Sequence, residues 1–325
     1  MAEEEVPVYY EDLANIEAEF DEVDTEIMRQ QYVMSAPIYE KRQQVISKIP
    51  NFWPLVFELA PPEIDHYIQP TDSEIIGKAL SNLEVKRFEA DGGDPRSLQF
   101  RFEFAENDWF TDKVLEKKFW YRRAKNGWAG LVSEPVKINW KKGKDTTSGL
   151  MDGAVKLWEA RKKAGDMNKK DLKEYSTMAK LVENWNGENT SFFTWFAFVC
   201  AAPYVTAEES AEATKEMKEA KAKADKGEKE EEKDEPDAED LIDLEPGVEV
   251  HEAGDDLANL IAEDLWPGAI KYFTQAQEAA DMSDFDMEDD EDDEDEDDDD
   301  DGPIDIRSLV QAKGGDEPPN KRQKK

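Results

Sequence analysis

Positive charge, cysteine and histidine are scarce in this chain, and each scarcity removes a class of function. Of 325 residues, 79 are Asp or Glu and 41 are Lys or Arg, a formal charge of −38. A molecule this negative repels nucleic-acid backbones and anionic membranes, so its expected partners are cationic, with weak or no direct contact to nucleic acid. The one cysteine, Cys200, lies in the apolar run Phe196-Ala197-Phe198-Val199-Cys200-Ala201. No intramolecular disulfide can form, and a reducing compartment is the expectation. Two histidines, His66 and His251, cannot complete a zinc site with that thiol, and neither belongs to an HExxH pattern. GxxxxGK[ST] and GxGxxG are both missing, and Gly143-Lys144-Asp145 lacks the upstream glycine of a phosphate loop. Carboxylate pairs say nothing about catalysis in a chain with 79 acids. The chain is expected not to be an enzyme and to use neither metal nor cofactor.

Long hydrophobic runs are lacking too. The longest, residues 192–205, is interrupted by Thr194 and Pro203 and is shorter than the roughly 20 residues a bilayer span needs. Met1-Ala2-Glu3-Glu4-Glu5 has neither the basic nor the apolar region of an export signal, so no membrane partner and an intracellular location are expected. Without export, the sequon Asn189-Thr190-Ser191 is read as chance.

What is present begins with a helical seam. Leu13, Ile16, Phe20, Val23 and Ile27 follow a 3-4-3-4 spacing that Met34, Ile38, Val45 and Ile49 continue, so residues 11–50 are expected to form one long helix. Such a rod, roughly 58 Å at 1.5 Å per residue, outreaches any core this chain could wrap around it. Its stripe is buried either on a second copy, in an antiparallel pair, or on its own domain. Pro37 is expected to kink the helix or to start a new one.

Residues 51–280 read as an α+β domain. Thr71-Asp72-Ser73-Glu74 looks like a capping box ahead of Ile75, Ile76 and Leu80. The period then changes: Leu83, Val85 and Phe88 suggest a strand, Asp91-Gly92-Gly93-Asp94-Pro95 a turn, and Phe100, Phe102 and Phe104 a clear alternating strand. Further strands are expected at 114–122 and 136–140, separated by Lys125-Asn126-Gly127. The result is an antiparallel meander of at least four strands whose aromatic face needs a helical cover, for which residues 192–205 are the natural candidate. Residues 145–187 look like a helical insertion of mixed charge, and residues 206–250 like a second one. Thr206-Ala207-Glu208-Glu209 opens the second as a helix that decays into a charge run at 229–240, expected to be disordered. A final amphipathic helix carries Leu257, Leu260, Ile261 and Leu265 to Trp266-Pro267, after which Ile270, Tyr272 and Phe273 return apolar mass to the core.

Residues 288–301 are all acidic and should remain a flexible polyanion able to imitate a phosphate chain. Without those 14 charges the chain still carries −24, so a basic partner is favoured over a merely solubilising tail. The basic end Lys321-Arg322-Gln323-Lys324-Lys325 reads as a nuclear import signal or as a segment that folds back onto the acid run. Lys141, Lys142 and Lys144 form a small basic patch, read as a solvated turn or a weak DNA-contacting corner.

Five strings occur in order: Lys48-Ile49-Pro50-Asn51-Phe52-Trp53, Phe104-Ala105-Glu106-Asn107-Asp108-Trp109-Phe110, Ile138-Asn139-Trp140-Lys141-Lys142-Gly143-Lys144-Asp145, Ser191-Phe192-Phe193-Thr194-Trp195-Phe196 and Glu263-Asp264-Leu265-Trp266-Pro267. With the acidic tail they resemble the nucleosome assembly protein family, and most of all its SET branch. The resemblance implies a nuclear homodimer joined by a long antiparallel helix, with an "earmuff" domain on each end and an acidic underside that receives core histones: H3–H4, with H2A–H2B as a second pair. It implies that Leu13, Ile16, Phe20, Val23, Ile27, Met34 and Ile38 form the dimer seam. Glu263 and Asp264, extended to Asp255 and Asp256, would lie on the histone-facing helix, and Glu288, Asp289, Asp290 and Glu291 would begin the histone-binding tail. The stretches at 145–187 and 206–250 look longer than the family pattern. Relatives that inhibit a phosphatase or assist a histone acetyltransferase supply a second class of function, a regulatory scaffold for a chromatin enzyme.

Overall fold

The computed structural model describes residues 10–185, 190–201, 203–224, 248–251 and 253–287. The expectations for the N-terminal segment, Asn189 of the sequon, the charge run at 229–240, the acid run from Glu288 and the basic end at Lys321, Arg322, Lys324 and Lys325 fall outside those residues.

The first element is α1, Tyr10–Ile46, 37 residues long and rich in Glu, Ala, Gln and Met, which favour helix. It runs through Pro37 without starting a new helix, contrary to one of the two expectations. Proline removes one ladder bond there, but the turns beyond it are held from outside the helix. Arg42 lies against the rings of Tyr39 and Trp266, at 4.7 and 4.5 Å from their centroids, and donates to the Trp266 carbonyl at 2.5 Å. Gln43 donates to Asn82 Oδ1 at 3.0 Å, an oxygen that also accepts from Trp53 Nε1. Nearer its start, α1 is held by Arg29, which donates to the carbonyls of Ala90 and Gly93, and by the Asp21–Arg96 ion pair.

Asn51, in the left-handed conformation at φ 56°, turns the chain into α2, Phe52–Glu58, whose Phe52, Trp53, Leu55, Val56 and Phe57 are buried. Then come α3, Pro62–Asp65, and α4, Pro70–Ala79. The capping box sits two residues earlier than the sequence suggested. Asp72 is the third residue of α4 and accepts from the Gln69 amide at 3.1 Å.

Four strands follow in an antiparallel meander, β1-β2-β3-β4: Leu80–Lys86, Leu98–Phe104, Val114–Arg123 and Ala129–Ser133. The register pairs Phe100 with Lys117 and Phe102 with Leu115, so Leu98, Phe100, Phe102 and Phe104 share the buried face with Leu115, Lys117 and Phe119. The count of four agrees with the sequence reading, but the fourth strand is 129–133 rather than 136–140. Only an isolated bridge, Phe110 to Trp140, marks the expected position. Gly130 hid β4 from the pattern. A Cβ there would meet the Trp128 ring at 2.7 Å, so the strand gives up a side chain to let that indole lie across it.

The sheet's cover also differs from expectation. Residues 192–205 do not form one helix. Phe192–Ala197 is a 3-10 turn, started by Ser191 Oγ accepting from the Phe193 amide, and all six residues are buried. The chain beyond it runs beside β4, with the Ser133 amide donating to the Val199 carbonyl at 2.7 Å. Consecutive aromatics bury on every side of a tight turn, whereas an α-helix would have shown some of them to water. Phe100 meets Trp195 edge-on at 5.1 Å and Phe102 meets Phe196 at 5.5 Å, contacts of about 0.5–1.5 kcal/mol each beyond their area. Asp72, fully buried, fastens this turn to α4 by accepting from Ser191 Oγ at 2.6 Å and the Phe192 amide at 2.7 Å.

The stretch at 145–187 is helical, as α5, Leu150–Ala164, and α6, Lys173–Asn184, but it is no appendage. Leu150, Met151, Ala154, Leu157 and Met178 belong to the main core. Helix α7, Ala207–Ala224, opens where Thr206 and Glu209 exchange capping bonds, as read from the sequence. The last helices are α8, Gly254–Leu260, a π turn over Ile261–Leu265, and α9, Ala269–Met287. Tyr272 is buried and Phe273 packs on the core as expected, but Ile270 is exposed.

Candidate functional site

Helix α8 and the π turn form a continuous rod with two unlike sides. Gly254, Leu257, Ala258, Ile261, Ala262 and Leu265 are buried, while Asp256, Asn259, Glu263 and Asp264 are exposed and Asp255 is half-buried. Its position is fixed at both ends: Trp195 Nε1 donates to the Gly254 carbonyl at 2.7 Å and Trp266 Nε1 to the Leu83 carbonyl at 3.3 Å. Gly254 is required because a Cβ there would stand 2.3 Å from the Phe198 ring. The π turn arises where Pro267 has no amide to give; the Trp266 amide reaches the Ile261 carbonyl at 2.9 Å instead.

The four acids named from the sequence therefore lie on the solvent side of the rod, Asp255 half-buried at its margin, with Asp255 and Glu263 about 12 Å apart along it. Burial first, and then the neighbouring Asp256 charge, push the Asp255 carboxyl above the usual carboxylate range. A cation placed beside this pair would relieve that repulsion. Asp264 is held by the Tyr272 hydroxyl at 2.8 Å. Burial, that hydrogen bond and the charges of Asp264 and Glu63 push the tyrosine up to about 12. Arg87 meets Glu263 at 3.2 Å. The edge thus gains a fifth acid, Glu63 on α3, which packs against α8. No spacing in the sequence pairs residue 63 with residue 264.

On α1 the two sides of the rod are also distinct. Residues 18, 25, 28, 29, 32, 35, 36, 39, 42, 43 and 46 are the sheltered ones. Leu13, Ile16, Phe20, Val23, Ile27, Met34 and Ile38 lie elsewhere around the helix and are all more than half exposed, Met34 most at 75 %. Among the described residues nothing covers this stripe.

A profile of the family described as Nucleosome assembly protein (NAP) matches residues 47–276. The chain belongs to the nucleosome assembly protein family. A putative nucleosome assembly protein of Schizosaccharomyces pombe is 36% identical over 146 residues, 42% of this chain and 58% of that protein. NAP1-related protein 1 of Arabidopsis thaliana is 29% identical over 277 residues, 85% of this chain and 76% of the relative. Protein SET of Drosophila melanogaster is 32% identical over 166 residues, half of each chain. Among solved structures, the crystal structure of Vps75 is 22% identical, covers 82% of this chain and 98% of that one, and superimposes with a TM-score of 0.51, which establishes the long helix and earmuff domain as the fold. The family consists of histone chaperones, which are not enzymes.

Within this nucleosome assembly fold, sequence reasoning missed one group of buried polar residues. Lys117 points inward between Leu115 and Phe119, and its ammonium donates to the carbonyls of Glu134, Phe196 and Phe198 at 2.8, 3.1 and 2.6 Å. Burial lowers its pKa well below the usual lysine value. Glu249 accepts from the amides of Val199, Val250 and His251 and is pushed up to about 7, by burial first. His251 is buried beside Tyr67, and neither ring nitrogen has a hydrogen-bond partner among the described residues; burial lowers it to about 4. These groups fasten residues 198–201 and 248–251 to the sheet. Among the described residues no group of His, Cys, Asp and Glu could hold a metal ion, and no helix is long and apolar enough to cross a membrane.

Proposed function

We propose that this chain is a nuclear histone chaperone that works as a homodimer, binding H3–H4 and secondarily H2A–H2B without ATP. One observation carries the reading: a rod anchored at both ends presents Asp255, Asp256, Glu263 and Asp264 on its solvent side, on a chain of this family with a surplus of 38 negative charges. Fixed carboxylates can distinguish a folded basic protein from loose cations, because they bind without first being ordered. The acid run beginning Glu288-Asp289-Asp290-Glu291 would add a salt-sensitive component, and Lys321, Arg322, Lys324 and Lys325 would direct import. Histones would leave the chaperone when DNA offers a denser line of charge. The unburied stripe of α1 supports the dimer: a second copy, related by a two-fold axis, would cover Leu13 to Ile38 with the same residues.

Titration of the full chain with H3–H4 at physiological salt tests the proposal. Replacing the four acids by Asn or Gln should weaken binding by roughly tenfold, since exposed charge pairs contribute about 0.2–1 kcal/mol each. Binding no tighter than that of an unstructured acidic polypeptide of equal charge would overturn the reading.

A further inference from the structure

A cavity is lined by no residue of the acidic rod. Where the β3–β4 turn meets the start of α7, Lys125, Trp128, Tyr204, Val205, Glu209 and Glu212 line a half-open cavity of about 440 Å3. That volume is within the range of about 300–1,000 Å3 typical of ligand clefts.

Its walls are fixed in advance. The Trp128 indole lies across Gly130, which has no side chain to displace it. Tyr204 is held at its backbone by the Asn168 side chain, which accepts from the Tyr204 amide at 2.8 Å and donates to its carbonyl at 3.0 Å, while its ring meets Trp158 edge-on at 5.0 Å. Glu209 is oriented by its capping bonds to Thr206. Lys125 fills part of the charge demand, reaching Glu212 at 2.9 Å and Glu216 at 3.1 Å. Two lining carboxylates against one ammonium leave the cavity negative, and aromatic faces add negative quadrupole. The Tyr204 hydroxyl is pushed up to about 12, by burial first and then by the charge of Glu134, which is not part of the lining.

We infer that this cavity receives a single lysine or arginine side chain from an extended basic peptide, seated against Trp128 and Tyr204 with its charge shared by Glu209 and Glu212. In that arrangement Lys125 is the cation that the guest displaces. The basic guest is taken from the chaperone reading, whereas the cavity and its chemistry stand on their own residues.

The test uses the full chain and a fluorescein-labelled 12-residue peptide of alternating lysine and serine, read by anisotropy at 0.15 and 0.5 M salt. Trp128→Leu should weaken binding roughly fivefold at both salts, in line with about 1 kcal/mol for a cation on an aromatic face. Lys125→Ala should tighten it roughly two- to fivefold, because the internal competitor is gone. That opposite sign separates a binding cavity from a merely structural one even if Trp128→Leu folds poorly. Lys142→Ala, outside the cavity, removes the same charge and should have a smaller effect. The inference is overturned if the peptide does not bind, if Lys125→Ala weakens or leaves binding unchanged, or if Lys142→Ala tightens it as much. H3–H4 titration of the same variants keeps the two readings apart: histone binding that depends on Asp255, Asp256, Glu263 and Asp264 and ignores Trp128 and Lys125 retains the chaperone and removes the cavity.

Discussion

Replacing Lys117 by methionine removes one charge from the middle of the sheet while keeping most of its packing. Two of the three carbonyls that accept from Lys117 keep another donor, since the Val136 amide reaches the Phe196 carbonyl at 2.8 Å and Ser133 Oγ the Phe198 carbonyl at 2.5 Å. The Glu134 carbonyl loses its ammonium donor, a loss of about 1–3 kcal/mol for a buried acceptor. Glu249 in turn loses the opposite charge that now lowers its pKa. Removing one partner of a buried pair costs about 3–5 kcal/mol, and relief from burying the ammonium offsets part of this, so a net loss of about 3 kcal/mol is expected at pH 8.

The pH dependence gives this prediction its sign. Glu249 titrates in the folded chain near 7, above its unfolded value, so the folded state holds the extra proton and stability falls as pH rises through the interval from about 4.5 to 7. Without Lys117 that upper limit moves higher, and the variant loses a further ~1.4 kcal/mol for each unit of the move once pH exceeds it. The folded pKa of Lys117 is depressed by burial, so the parent chain carries a penalty at every pH below the ordinary lysine value that the methionine variant lacks, and the difference between pH 8 and pH 5.5 comes from Glu249. Lys117→Met should therefore be clearly destabilised at pH 8 and much less so at pH 5.5. Urea unfolding at fixed protein concentration measures this, and adding Glu249→Gln should recover at least half of the loss. Equal destabilisation at both pH values, or a double variant no more stable than Lys117→Met, would refute the reasoning.

Three further outcomes are expected. Gly254→Ala places a methyl 2.3 Å from the Phe198 ring and should cost about 2–3 kcal/mol by thermal unfolding; a neutral result would show that the rod is not pinned at that end. Phe20→Asp combined with Met34→Asp puts charges into the exposed stripe of α1 and should convert the proposed dimer to monomer in sedimentation at micromolar concentration, with little loss of helix by circular dichroism because neither residue is buried within the chain. His251 is held neutral down to about 4, so the unfolded chain takes up its proton first and stability is lost as pH falls from 6.5 toward 4, by about 2 kcal/mol at pH 5. His251→Phe should abolish that loss, and acid unfolding curves that coincide for the two proteins would contradict the assignment.

The elements legible in the sequence are those whose pattern is local. The seam of α1, the alternation of Phe100, Phe102 and Phe104 and the capping exchange of Thr206 with Glu209 each lie within a few turns or one strand, and each is found where the spacing put it. What failed to show was decided by distant neighbours. The aromatic run after Ser191 was expected as a helix, but a short apolar stretch has no period to secure that reading, and its conformation is set by the sheet beneath and by Asp72, some 120 positions away. Lys117 falls in phase with Leu115 and Phe119, so strict alternation did place it inside, yet lysine is so seldom buried that the phase was not heeded.

The same division holds for the candidate sites, and it bears on how the chain would select a basic partner. The acids of the rod were named through resemblance, but their common exposure on its solvent side follows from Gly254, Trp195 and Trp266, which fix the rod, and Glu63 joins them only because α3 packs against α8. The cavity at Trp128 draws on residues some 80 positions apart and has no sequence signature at all. Net charge alone attracts any cation and loses its hold as salt rises. Carboxylates held at set positions by buried tryptophans, and a charge seated on an aromatic wall, depend on shape and persist where diffuse attraction is screened. A chain with both would separate a folded basic guest from loose counterions at physiological salt, and the discrimination should survive in 0.5 M salt to the extent that Trp128 and the anchored rod, rather than total charge, supply it.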